Sequence, residues 1–185
     1  AVAGASITGL NFGNTTGSLA GRVFSDLDDS GAQNGAEAWI RGATVRLEWS
    51  GADNVFGTLD DRSVATTTDA LGNYLFDHTN TAGFVANGDS TAGLLSTGQY
   101  RIIETTPDGY IDGADAAGNA ATAPGAVAAG TESAAWLLAN PASGTGRGAD
   151  RIAGIQIAAA QAATGYNFGE VLPSSISGSV HEDLN

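Results

Sequence analysis

The stretch Asp26–Glu37 (DLDDSGAQNGAE) sets oxygen-bearing side chains at alternate positions around a glycine. Asp26, Asp28, Ser30 and Asn34 occupy places 1, 3, 5 and 9, with Gly31 at 6, Ala32 at 7 and Glu37 at 12. Short side chains at this spacing converge on one point. Gly31 permits the sharp bend, Ala32 offers its carbonyl, and Glu37 is long enough to return with both oxygens. This is a donor set for a hard cation that takes about six to eight oxygens, calcium above all. Ser30 departs from the usual Asp or Asn at its place. A merely solvated acidic turn would not require both the glycine at 6 and the glutamate at 12.

Such a loop usually joins two helices. Here Gly17–Phe24 (GSLAGRVF) precedes it and alternates, with Leu19, Gly21 and Val23 on one face, which reads as a β-strand. The same period recurs in ATVRLEWS, where Val45, Leu47 and Trp49 oppose Thr44, Arg46 and Glu48. NYLFD aligns Tyr74 with Phe76, and GQYRIIETT aligns Tyr100, Ile102 and Glu104. RSVATTT, RIAGIQIA and TGYNFGEV complete about seven strands, separated by the turn signals DALGN, TPDGY and GTGRGAD. The expected fold is an all-β sandwich with two long insertions, 77–97 and 114–150. Within the second, TESAAWLLAN reads either as a short helix capped by Thr131 or as an added strand.

Composition narrows the function. Seven arginines and no lysine face 20 acidic residues, for a net charge of −13. Nucleic acid and anionic membrane surfaces are poor partners for such a chain, and divalent cations are good ones. There is no cysteine, hence no disulfide or thiolate chemistry. No apolar run reaches the ~18 residues of a membrane span. The first residues, AVAGASITGL, lack a basic signal-peptide start, so a mature or internal segment is expected.

The two ends of the chain repeat each other. Asn11-Phe12-Gly13 returns as Asn167-Phe168-Gly169, 156 positions later. Gly21, Val23, Asp26 and Leu27 return as Gly178, Val180, Asp183 and Leu184, 157 positions later. A tandem array follows from this period. Residues 1–16 are then the closing strand of a preceding repeat, 17–173 one complete repeat, and 174–185 the opening of another. Asp183 and Asn185 would start a second copy of the metal loop.

GRVFSDLDDSGAQNGAEAWIRGATVRLEW resembles the B-type repeats of bacterial serine–aspartate repeat adhesins (SdrD B-like domains). TTTDALGNYLFD, GQYRIIETTPDGYIDG and GYNFGEVLPSSISGSVHEDLN resemble that family's later segments, in order. The resemblance covers 17–173 except the middle of the second insertion. It implies a transthyretin-like or immunoglobulin-like sandwich, arrayed in tandem on secreted surface proteins and binding calcium. Related collagen-adhesin B-type domains often carry a Lys–Asn isopeptide crosslink. With no lysine that crosslink cannot form within this chain, which leaves calcium as the stiffening device.

Other acidic clusters are weaker candidates. GADNVFGTLDDRS gathers Asp53, Asp60 and Asp61 in one loop, a second calcium position. IDGADAAGN offers Asp112, Asp115 and Asn119. Asp69 and Asn73 read as turn residues, and His78 and His181 as surface residues. Trp39, Trp49 and Trp136 read as core or inter-repeat packing before sugar platforms. No catalytic constellation is visible, so an enzyme is not expected. The function expected is a calcium-stabilised stalk or matrix repeat of an extracellular bacterial protein, with neighbouring repeats as partners. The alternatives are an adhesin module for a glycan or surface protein and a subunit of a filament built from tandem repeats.

Overall fold

Strand β1 (Ser18–Ser25) turns Leu19, Gly21 and Val23 inward, as its alternation predicts. The computed structural model to which it belongs describes residues 17–81, 84, 99–119, 131–132, 151–157 and 161–182. The architecture is all-β, in two sheets. The remaining strands are β2 (Thr44–Trp49), β3 (Arg62–Thr67), β4 (Asn73–Phe76), β5 (Tyr100–Thr105), β6 (Ile111–Asp112), β7 (Ala116–Asn119), β8 (Thr131–Glu132), β9 (Arg151–Ile155) and β10 (Ala162–Val171).

The first sheet runs β4-β1-β10-β6, with β7 also paired to β10. The second runs β3-β2-β5-β9-β8. Strands β2, β3 and β5 pair antiparallel in unbroken register, Val45 opposite Thr66 and Glu104. The inner faces bring together Leu19, Val23 and Phe168 from one sheet and Val45, Leu47 and Ile102 from the other, all buried. Burying side chains of this size stabilises by about 1.5–3 kcal/mol each. Glu104 follows the same alternation inward and is buried as well.

The pairing of β1 with β10 is parallel and irregular. Leu19 lies opposite Ala163 but Val23 opposite Phe168, so β10 carries one extra residue. Gly165, at φ 82°, lies within that bulge. The displaced Tyr166 carbonyl accepts a 2.6 Å hydrogen bond from the Tyr74 hydroxyl. Burial, then the nearby negative charge of Asp115, holds the Tyr74 hydroxyl well above the ordinary phenol range, so it stays protonated and donates. Both groups occupy the space where a side chain at Gly21 would sit. A Cβ there would lie 1.7 Å from the Tyr166 oxygen.

Parallel β1 and β10 give the sandwich two distinct poles. At the near pole β1 begins, and the 50–61 connection joins β2 to β3. At the far pole β1 and β10 both end, beside the 26–43 segment, the 69–72 turn and the 106–110 turn. In that 69–72 turn Asp69 accepts bonds from the Leu71 and Asn73 amides and from the Asn73 side chain, the turn role expected of it.

The structure differs from the sequence reading in its short strands. Among the described residues ten strands form where about seven were expected, and β6 and β7 come from the turn-rich YIDGADAAGN. They form because β10 presents a free edge on which two to four residues suffice to pair. Thr131–Glu132 is a strand, β8, while Trp136 and the rest of TESAAWLLAN lie outside the described residues, as does most of both insertions.

Two measurements test this account. Gly21→Ala should destabilise the fold by about 1–3 kcal/mol or more through overpacking, read from urea melts. A neutral result would refute the close approach. Bonding from Asn73 holds the Asp69 carboxyl below its ordinary 3.8. Its contribution to stability is therefore complete above that value and lost as pH falls through the lower folded-state midpoint. NMR titration should find that midpoint below 3.8 and raised in Asn73→Ala.

Candidate metal centre

The loop after β1 is closed at its root by backbone bonds. Ser25 donates to the Ala38 carbonyl at 2.8 Å, and Asp26 to the Glu170 carbonyl at 2.8 Å. The returning segment then runs beside β1, with Trp39 bridged to Phe24 and Ile40 donating to the Val23 carbonyl. A strand thus mounts the loop because the chain doubles back on that same strand.

Within the loop, Asp26, Asp28 and Glu37 bring carboxylate oxygens within 4.8 Å of one another. Asp26 and Glu37 are buried and Asp28 is exposed. Asp26 accepts from the amides of Ser30 (3.0 Å) and Gly31 (2.7 Å). Glu37 accepts from those of Leu27 (2.9 Å) and Asn34 (2.7 Å). Gly31 takes φ 72°, the bend its place in the pattern demands. The Asn34 amide nitrogen lies 3.2 Å from an Asp28 carboxylate oxygen, the Ser30 hydroxyl and the Ala32 carbonyl alike. It marks the point on which these oxygens converge. The Ser30 bond, then the Asn34 bond, holds the Asp28 carboxyl below its usual range, so it is ionised at neutral pH.

This donor set fits calcium. A carboxylate oxygen that accepts one N–H keeps further lone-pair capacity, and the Asn34 side chain carries an oxygen beside its nitrogen. All six positions read from the sequence are thus gathered in one loop.

The other acidic candidates behave differently. Asp112 is buried in β6, in register with Glu170 of β10, and Glu170 is in turn in register with Ser25 of β1. Asp115 accepts from the Gly169 amide at 3.2 Å. A Cβ on Gly169 would touch both the Ala114 carbonyl and Asp26, so the 113–115 segment packs on the root of the 26–37 loop. Sequence separates these residues from Asp26 by more than 80 positions, and only strand register unites them. Glu170 and Glu104 join them as buried carboxylates at this pole. Neither stands out as a site residue by sequence motif, although Glu104 lies on the inward side of its alternation.

Asp53, Asp60 and Asp61 lie at the opposite pole. Asp60 accepts from the Ala52 amide and the Thr58 hydroxyl, the latter chiefly holding its carboxyl below the usual range. Asp61 accepts from the Gly57 amide, and Asp53 from that of Val55. Among the described residues these three do not converge as Asp26, Asp28 and Glu37 do. Asp183 and Asn185 lie outside the described residues. Trp49 is buried against Phe84, and Trp39 has the Arg22 guanidinium 4.6 Å over its ring. His78 and His181 are exposed.

No family model matches the chain, and no curated protein matches it. Among solved structures it is similar to the shaft pilin SpaA from Lactobacillus rhamnosus GG, at 13% identity and a TM-score of 0.40, covering 86% of this chain and 52% of the pilin. A double mutant of that pilin gives 12% identity and 0.40 over the same shares. A single mutant gives 11% and 0.39, covering 88% of this chain and 52% of that one. The chain thus spans about half the length of these pilin structures. No helix among the described residues is long and apolar enough to cross a membrane.

Glu37→Ala removes the residue that caps two loop amides and closes the oxygen set. It should weaken calcium binding by at least about tenfold, ~1.4 kcal/mol, in isothermal titration. Glu37→Gln, which keeps the shape and one oxygen, should also bind more weakly. Unchanged stoichiometry and affinity in both variants would reject the site.

Proposed function

We propose that this chain is a calcium-stabilised structural repeat of an extracellular bacterial surface protein, of the SdrD B-like kind its sequence resembles, serving as a stalk or filament module. The observation that carries the reading is the convergence of Asp28, Ser30 and Ala32 oxygens on the Asn34 amide, with Asp26 and Glu37 alongside.

The chemistry of stabilisation follows from the loop's position. A bound calcium supplies a dication at a place where three carboxylates meet. Asp26 ties the loop to the end of β1, next to β10 through its amide bond to Glu170. Glu37 ties it to the segment that leads into β2, on the other sheet. A cross-link between these two points holds the sheets together at the far pole. Disulfides do this in many secreted domains, and this chain has no cysteine.

Ligand binding to the folded state alone stabilises by about 2.7 kcal/mol at a hundredfold excess over Kd. The chain should therefore melt higher in calcium than in chelator. Magnesium should substitute poorly, because it demands a smaller octahedral shell and keeps its waters. Calorimetric scans in the three conditions test this. Equal melting temperatures in calcium and chelator would remove calcium from the account.

A further inference from the structure

Residues 175–182 lie outside both sheets, with Ile176 100% and Val180 103% exposed. By the 157-residue period these are the counterparts of Leu19 and Val23, both 0% exposed in β1. Gly178 is the counterpart of Gly21, the one position in β1 where the Tyr166 carbonyl leaves no room for a Cβ. Two apolar residues and a glycine in this register match the demands of one slot, that between β4 and β10 of a sandwich.

If Ser175 opens a second sandwich as Ser18 opens the first, only Leu172, Pro173 and Ser174 separate it from β10. Four extended residue steps reach about 14 Å at most. The far pole of one sandwich must then touch the near pole of the next.

Both poles are shaped for contact. The far pole holds a cleft of about 530 Å³ lined by Trp39, Ile40, Arg41, Pro107, Asp108 and Tyr110, among others. Leu27 and Leu172 are exposed at the same pole. The near pole holds the 51–61 loop, where Leu59 is 101% exposed and Val55 54%. The cleft and the loop lie at opposite ends of the same strands, β2 and β5. A copy displaced along the strand axis brings one against the other. Arg41 and Asp108 are both exposed at the cleft, so Arg41 is the group there that can pair with the exposed Asp53 of the loop. The loop is braced from behind by Phe56, which lies 4.0 Å beneath the Arg101 guanidinium.

We propose that consecutive sandwiches join head to tail, the 51–61 loop of a second copy seating Leu59 in the Trp39–Tyr110 cleft of the first. The occupant is a second copy of this sandwich, begun by residues 175–182. Such a contact is heterologous, so it propagates into a rod. It rests on the tandem-repeat reading but not on calcium.

The test uses the full chain continued in frame by residues 29–185, so that Asp183 and Asn185 stand for Asp26 and Asp28. The chain has no cysteine, so introduced pairs react alone. Asp108→Cys in the first sandwich with Val55→Cys in the second should oxidise to a disulfide at least about tenfold faster than a control pair of Leu75→Cys with Val55→Cys, because juxtaposition raises effective concentration. Equal rates overturn the junction. So does a second sandwich that fails to fold by circular dichroism, since the proposal makes residues 175–182 its first strand. Running the pair in calcium and in chelator separates this proposal from the calcium reading. Equal pair rates with intact calcium binding reject the junction alone. Fast closure in a chain that binds no calcium rejects the calcium reading alone.

Discussion

The rest of the sandwich depends on the parallel pairing of β1 with β10. It joins residues about 145 positions apart, so forming it carries the loop-closure cost of a long intervening chain. It places the ends of both strands side by side. That in turn sets the root of the 26–37 loop against Glu170 and the 113–115 segment. The pairing tolerates a bulge only because Tyr74 takes up the carbonyl that the bulge displaces and Gly21 leaves room for it. Three residues from three strands thus solve one packing problem, and none can be changed independently.

Much of this was legible in the sequence, because it is written in local periods. Val45, Leu47 and Trp49 declare their face within six residues, and so do Leu19 with Val23 and Tyr74 with Phe76. The meeting of Asp26, Asp28 and Glu37 was legible for the same reason, since they lie within twelve residues and depend on spacing alone. Strands β6 and β7 were not legible, because neither is long enough to show a period and both exist only by pairing with β10. The neighbourhood of Asp115 and Asp26 was hidden likewise, in the register of distant strands.

The loop at Asp53–Asp61 teaches a different limit. Its composition resembles that of a cation site, and Asp60 and Asp61 also accept bonds from the loop's own amides. Local backbone donors and a cation compete for the same oxygens, and a count of carboxylates does not decide between them. In the 26–37 loop the same competition exists, but Asp26 and Glu37 meet their amides while still facing Asp28.

Parallel pairing also determines how this sandwich would respond to tension. The chain comes in at the start of β1 and leaves at the end of β10, at opposite poles. Tension along the chain therefore drags β1 and β10 past each other lengthwise. The bonds from Ser18–Ala162 to Ser25–Glu170 share the force together and cannot be peeled one at a time. Sliding by a residue would push the Tyr166 carbonyl, now held over Gly21, against a side chain. A strand order set by packing is in this way also a shear geometry.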